Sequence, residues 1–463
     1  MLVTALALHA QFQVDGEFRS RAVLDHGYKV PVKADNDAHL SFDQRSRLIL
    51  GYKKDILSVR FTLQDARVWG SDDMFNKTGV EGNSSALGIY EAWIDLQIGE
   101  HSGIRVGRQE WNYDDMRILS WRNWWTSGLS YDGILFRHYN PETGWHINTG
   151  ISYNNNGTRT GMVDNSLWNQ NNLKTMNFVN IRKDFSSKLY AVAMFTLSGK
   201  QDMTVDELVG TGTHGFSISY NKGKAANNGF FGYASGYYQY GKDVSLGTDE
   251  NRKAISAHMI NAEVGLRTLD KKVEVSMGVE NISGRDYSNT DVDYNNTRHS
   301  FDLFYSARFP YYGGHLNYFL IQDSYKIGTK GGGYMNPFFK VRFQASKKDI
   351  FDFTLHNPML TTHVAAHTGF DPDTKIPIAE IDADGNPVYW KGNLGNHIDL
   401  DYTRKISKEV IFKIGASYAL ISDIKNQMVY GYEDPAGQEL NDLGQNYFVY
   451  TMLIVKPNFF RSE

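Results

Sequence analysis

Arginines stand at every second position in two early stretches, as Arg19/Arg21 and Arg45/Arg47, with Asp15, Glu17 and Asp43 on the same parity. A guanidinium is a planar fork that grips a carboxylate or phosphate through two hydrogen bonds. Set in rows along a wet passage, such forks replace water shed by an anion, and interleaved carboxylates keep the anion from being trapped. Arg45, Arg47 and Arg60 are therefore candidate contacts for an anionic solute, with Glu91, Asp95 and Arg105 among them. Arg67 and Asp65 join this parity only through a one-residue phase slip after Leu63, such as a β-bulge. Arg108 and Arg137 are expected in the same lining. A second cluster, Asp114–Gly128 (DDMRILSWRNWWTSG), combines three tryptophans with Arg117 and Arg122 and shows no alternation. It is expected to fold inward and narrow the passage, leaving Trp121 to stack on sugar rings.

Other chemistries find little support. The chain has no cysteine, which removes disulfides, thiolate catalysis and Cys-ligated zinc. Asp382-Ala383-Asp384-Gly385-Asn386 looks like the start of a calcium loop, but the distal bidentate Glu is missing, so it reads as a turn. His363 and His367 are four apart, yet Val364 stands where a zinc protease needs Glu. Gly328–Gly333 is glycine-rich without the spacing of a phosphate loop, and no Gly-x-Ser-x-Gly elbow occurs. No metal, cofactor or catalytic set is expected. A net charge of −4 speaks against a nucleic-acid binder.

The elements that carry these residues are strands. In Gln13–Leu24, charged Asp15, Glu17, Arg19 and Arg21 alternate with Val14, Phe18, Ala22 and Leu24. The same period of two runs through Ala38–Tyr52, Ile56–Leu63, Ala86–Gly99, Lys272–Glu280, Phe338–Gln344 and Phe351–His356. Tight connections, such as Lys53–Asp55, Gly99–Ser102, Pro141–Gly144, Phe185–Lys188 and Lys347–Asp349, alternate with long polar ones: Ser71–Ser85, Asn154–Asn172, Ser283–Thr297 and His367–Gly392. The 463 residues then hold about 18 strands at roughly 26 residues per strand and connection, the rhythm of an antiparallel outer-membrane barrel.

A polar face on nearly every strand leaves too little apolar volume for a solid core, given 41% hydrophobic residues and a mean hydropathy of −0.45. Turned inside out, with apolar side chains to lipid and ions to a wet lumen, the pattern is consistent. Trp124-Trp125, Tyr237-Tyr238, Tyr311-Tyr312, Tyr430 and Tyr432 are expected to form interfacial girdles. Leu2–Ala10 reads as the tail of a secretory signal with cleavage after Ala10, leaving 11–463 as a single barrel domain.

Several stretches resemble the alginate-export family of outer-membrane porins, in particular its Bacteroidetes branch. They are Gln64–Trp69 (QDARVW), Tyr90–Asp95 (YEAWID), Gly107-Arg108-Gln109, Arg117 with Trp121-Arg122-Asn123, Tyr131-Asp132-Gly133, and the ending Tyr450–Pro457 (YTMLIVKP). The resemblance runs from about Gln11 to the C-terminus and implies an 18-stranded barrel whose basic constriction passes an anionic polysaccharide passively. Where such barrels commonly end in an aromatic residue, Phe459-Phe460 is here followed by Arg461-Ser462-Glu463.

The expectation is thus an all-β, single transmembrane antiparallel barrel with an inward-folded constriction loop. It would sit in the outer membrane of a Gram-negative bacterium, against lipid and lipopolysaccharide. It would act without catalysis as a porin for anionic solutes, up to an acidic, alginate-like oligo- or polysaccharide. The alternative is a plugged barrel serving as a structural or interaction component of an outer-membrane complex. A barrel enzyme would need a His paired with Ser or a carboxylate at the rim, and a TonB-dependent receptor would need a longer chain.

Overall fold

The computed structural model describes residues 11–69, 87–154, 173–202, 207–222, 227–242, 253–303, 305–314, 324–325, 327–431 and 444–462. The Leu2–Ala10 segment and the Ser71–Ser85 connection, together with nearly all of Asn154–Asn172, lie outside the described residues.

Eighteen strands span the barrel. The first are β1 (Gln11–His26), β2 (His39–Lys54), β3 (Leu57–Val68), β4 (Leu87–Gln97), β5 (Ser102–Gln109) and β6 (Tyr131–Asn140). Next come β7 (Trp145–Tyr153), β8 (Thr175–Asp184), β9 (Leu189–Asp202), β10 (Glu207–Tyr220), β11 (Gly229–Lys242), β12 (Ala254–Thr268) and β13 (Val273–Ile282). The last are β14 (Tyr334–Gln344), β15 (Asp349–His356), β16 (Gly395–Lys405), β17 (Val410–Ile421) and β18 (Asn446–Val455). Each pairs antiparallel with its successor, and β18 closes the ring on β1 from Phe18↔Val455 to His26↔Tyr447. Beyond β18, Asn458–Arg461 continues the antiparallel pairing along β1 toward its start and leaves Phe459 and Phe460 exposed. All the short turns read from the sequence fall at one end, the periplasmic end of such barrels. The long connections 110–130, 283–333, 357–394 and 422–445 leave from the other.

The faces are inverted relative to a soluble protein. Glu17, Arg19 and Arg21 of β1 are buried, while Phe18 between them is exposed; on β2, Asp43, Arg45 and Arg47 are buried against exposed Leu40 and Leu48. This is the period-two pattern with apolar side chains on the lipid face.

Two expectations need correction. The aromatic girdles are built from other residues: Trp69, Tyr153, Tyr238 and Tyr240 at the long-loop end, and Phe12, Tyr139, Trp145 and Phe230 at the short-turn end. Of those expected there whose side chains are described, only Tyr238 faces out. Trp124 and Trp125 lie on the loop inside the barrel, Tyr237 and Tyr311 face inward, and Tyr430 donates its hydroxyl to the Pro31 carbonyl. Tyr432 lies outside the described residues, and Tyr312 belongs to the short helix Phe309–Tyr312 between β13 and β14.

Second, the long-loop half of the lumen does hold a packed apolar core. Lumen-facing Met176, Phe178, Met259 and Ile282 meet Trp111, Leu119, Phe301, Leu360 and Trp390 from the infolded connections. Strand alternation alone misses this, because half of the core comes from loops.

Candidate functional site

The chain leaves β5 at Gln109 and turns into the lumen instead of outward. Trp111, fully buried, stacks on Tyr131 (ring centroids 4.5 Å apart) and meets the edge of Phe178, which fastens the entry of the loop 110–130. Asp114, Met116 and Arg122 all take left-handed backbone conformations (φ +52°, +67° and +46°), the sharp bends that let so short a segment cross the barrel and return.

The crossing is tied to both walls. On one side the Asp114 carboxylate accepts from Ser217 Oγ of β10 (2.6 Å) and from the Tyr233 and Tyr237 hydroxyls of β11 (3.2 and 3.3 Å). Burial and the adjacent Asp115 push its pKa up to about 6. Arg117 pairs with Asp115 (2.9 Å) and with Glu280 of β13. On the other side three consecutive loop carbonyls are caught by wall arginines. Arg19 donates to Asn123 and Trp125 (3.1 Å to the latter), Arg21 to Trp124 (2.9 Å) and Arg45 to Trp125 (3.4 Å). Arg45 also reaches the Asn123 side chain (2.7 Å), Gln64 the Ser127 carbonyl (2.9 Å), and Tyr90 the Leu129 carbonyl (3.2 Å). Gly128 passes through φ +70° between Tyr90 and Arg47, where an added Cβ would come 2.9 Å from the tyrosine oxygen.

A second infolded segment, described over 299–303 and 305–314, locks against the first. The Ser120 hydroxyl donates to Tyr305 O (2.9 Å), the Ala307 amide to Met116 O (2.9 Å), and Arg122 Nε to Ser306 O (3.2 Å). Trp124 lies flat on Phe309, and the Gly314 amide donates to Asp399 of β16.

What remains open on the short-turn side is a cavity of 450 Å³ against the wall formed by β14–β18, β1 and β2. Trp121, Arg122, Trp124, Trp125 and Phe309 border it from the loops. Eight basic side chains line it against four carboxylates (Glu17, Asp352, Asp399 and Asp401), so this part of an acidic chain is locally cationic.

The residues expected in the lining divide into three groups. Arg45, Trp121 and Arg122 border the cavity. Arg47, Arg60, Glu91, Asp95, Arg105, Arg117 and Arg137 sit in wall and loop networks. Arg60 pairs with Glu91 (2.6 Å), Arg105 (3.1 Å) and Arg137 share Asp95, and Arg47 donates to Gln64 Oε1 (2.8 Å) under the Tyr90 ring. Asp65, Arg67 and Arg108 do not face the lumen, and this is a correction. The register Ser46↔Asp65 and Gln44↔Arg67 runs without a break, so both lie on the outward parity and pair with each other (2.7 Å). The bulge exists, but its extra residue is Tyr90 on β4, opposite the step from Thr62 to Leu63. Arg108 is three residues from lumen-facing Arg105, an odd offset that puts it outside, where it pairs with Asp132 (2.6 Å).

Sequence reasoning missed Arg308, Lys340, Arg342, Lys413 and Lys456, all at the cavity. The alternation in Phe338–Gln344 already sets Lys340 and Arg342 on one parity and is the signal that finds those two. The side chains of Lys340 and Lys413 make no hydrogen bond or ion pair with another described residue; the Lys340 ammonium lies 4.4 Å over the Phe338 ring. Of the weaker motifs, the Asp382 carboxylate accepts from the Asp384 and Asn386 amides of its own turn, and His363 binds Asp286 (3.1 Å).

The family model for alginate export matches residues 10–318. Among solved structures, the chain is similar to OccK8 (OprE) of Pseudomonas aeruginosa at 8% identity, covering 97% of this chain and 98% of that one with a TM-score of 0.57. It is also similar to Pseudomonas aeruginosa OpdL (10%, 97% and 99%, TM-score 0.56) and to Acinetobacter baumannii OccAB1 (10%, 97% and 97%, TM-score 0.56). At such identities the likeness is one of fold: an outer-membrane porin barrel. No curated protein sequence matches the chain.

Proposed function

Because the chain belongs to the alginate-export family of outer-membrane proteins of Gram-negative bacteria, we propose that it is a passive channel whose solutes are anionic, acidic oligo- or polysaccharides among them. The observation that carries this reading is the cationic cavity beside the constriction, with eight basic groups against four carboxylates. Charged forks and ammonium groups in a narrow, weakly screened passage favour anions, and the interleaved carboxylates keep the dwell short. Lys413 and Lys340, whose side chains carry no ion pair with a described residue, present cations to a solute, Lys340 from over the Phe338 ring. Trp121 and Trp125 border the same cavity and are the side chains on which a sugar's apolar side would stack. No step of this activity makes or breaks a covalent bond.

Liposome swelling tests it with neutral, anionic and cationic saccharides of equal size. Glucuronate and its short oligomers are expected to enter faster than glucose or glucosamine. Equal rates, or a preference for glucosamine, would reject the reading.

The apolar core across the long-loop half favours a second reading, a barrel closed by its own loops that serves as a component of an outer-membrane complex. Planar-bilayer recording separates the two, since a closed barrel gives no current steps.

A further inference from the structure

Arg19 differs from most of its neighbours on the basic wall; Arg47 also lacks a carboxylate partner among the described residues, but it donates to Gln64 and does not border the cavity. Arg21 has Asp43 (2.7 Å), Arg45 has Glu17, Arg60 has Glu91, and Arg105 and Arg137 share Asp95. Arg19 has no carboxylate of a described residue within ion-pair distance. It is 2% exposed, borders the 450 Å³ cavity, and has Arg45 directly opposite it in the β1–β2 register. Its two terminal nitrogens hold the Asn123 and Trp125 carbonyls, and its Nε has no partner. A buried guanidinium whose hydrogen bonds all go to neutral carbonyls, with the nearby Glu17 and Asp43 engaged by Arg45 and Arg21, is under-compensated, and a like charge directly across the strand pair adds to the cost. An ionised acceptor makes a shorter and stronger bond to the same fork.

We propose that Arg19 is an anion-exchange latch: a carboxylate of the solute entering from the cavity takes the guanidinium from the loop carbonyls and so loosens the constriction. The two carbonyls that Arg19 holds flank Trp124, the residue that clasps Phe309. Once they are released, Arg21 remains on the Trp124 carbonyl, Arg45 on the Asn123 side chain (2.7 Å) and, at 3.4 Å, on the Trp125 carbonyl, and Thr126 on Asp43 (2.9 Å), so the loop is loosened at these two carbonyls without being set free. The solute thereby widens its own path, and a neutral sugar does not. The inference rests on the anionic-solute reading above.

The absence of native cysteine makes Ser127→Cys, an exposed position on the loop, a single labelling site. The full chain would be spin-labelled there in liposomes and recorded in planar bilayers, with sodium glucuronate and glucose as probes. Glucuronate is expected to raise loop mobility and open probability about fivefold, the worth of a charged over a neutral acceptor, and glucose to leave both unchanged. Arg19→Gln keeps amide donors for the carbonyls and is expected to abolish the response. Absence of a glucuronate effect in the unsubstituted protein, or an equal effect in Arg19→Gln, would overturn the latch. Should Arg19→Gln fail to fold, Arg19→Lys, which lacks the fork, is expected to respond weakly, and a full response would overturn it. The underlying reading is checked on the same membranes without glucuronate. Chloride selectivity combined with no glucuronate response removes the latch alone, whereas cation selectivity removes both.

Discussion

Trp124 lies flat on Phe309, ring centroids 3.3 Å apart and planes 7° from parallel, so two infolded connections of separate origin meet as a clasp inside one barrel. Tyr450 of β18 closes on the tryptophan edge and Arg21 sits 4.3 Å over its face. An aromatic pair of this kind contributes about 0.5–1.5 kcal/mol beyond its buried area. Phe309→Ala is therefore expected to raise the open fraction of the channel about two- to tenfold while the barrel keeps its heat-modifiable migration on gels. Single-channel recording measures the first and electrophoresis the second.

The hold of the loop on the β10–β11 wall is expected to depend on pH. Docked Asp114 has its pKa raised from the ordinary 3.8 to about 6, facing Asp115 and Arg117 of its own loop and Tyr233 and Tyr237 of the wall. A carboxyl that binds its proton more tightly when docked stabilises docking fully below about 4, and that contribution is lost as pH rises through about 6. Open probability should thus be lower at pH 5 than at pH 7.5. Asp114→Asn should remove this dependence, and the current–pH curve of the two proteins checks it.

Gly128 carries the loop through a left-handed bend beneath Tyr90 and Arg47. Gly128→Ala places a methyl 2.9 Å from the Tyr90 oxygen at a φ that a side chain opposes, at a cost of about 1–2 kcal/mol. The expected outcome is a looser loop, read as a fivefold or greater rise in label mobility at a neighbouring cysteine, with an unchanged barrel.

Selectivity should follow the cavity and not the count of arginines. Lys340→Gln combined with Lys413→Gln is expected to lower the chloride-to-potassium permeability ratio roughly twofold or more. Arg67→Ala and Arg108→Ala, whose side chains stand outside against Asp65 and Asp132, are expected to leave it unchanged. Reversal potentials in a salt gradient compare the four proteins.

Much of this architecture is legible in the sequence because lipid and lumen impose a period of two on each strand separately. Arg45 could be placed from its own neighbours alone. Its role could not, since Glu17 stands 28 positions away and Asn123 stands 78, and only the closed ring brings them together. Arg108 and the Asp65–Arg67 pair stand outside for a local reason: odd offsets from Arg105 and Arg60 place them there, and the bulge that would turn Asp65 and Arg67 inward falls on the facing strand at Tyr90. The lysines of the cavity come from strands late in the chain, joined to the arginine wall only where β18 pairs with β1.

The most direct measurement of the central claim is the zero-current potential of the purified protein in a planar bilayer between dilute and concentrated potassium chloride. A cationic cavity at the constriction requires chloride to carry most of the current, with the preference fading as the salt on both sides is raised. A potential set by potassium, or a reconstituted barrel that passes no current at any voltage, would contradict it.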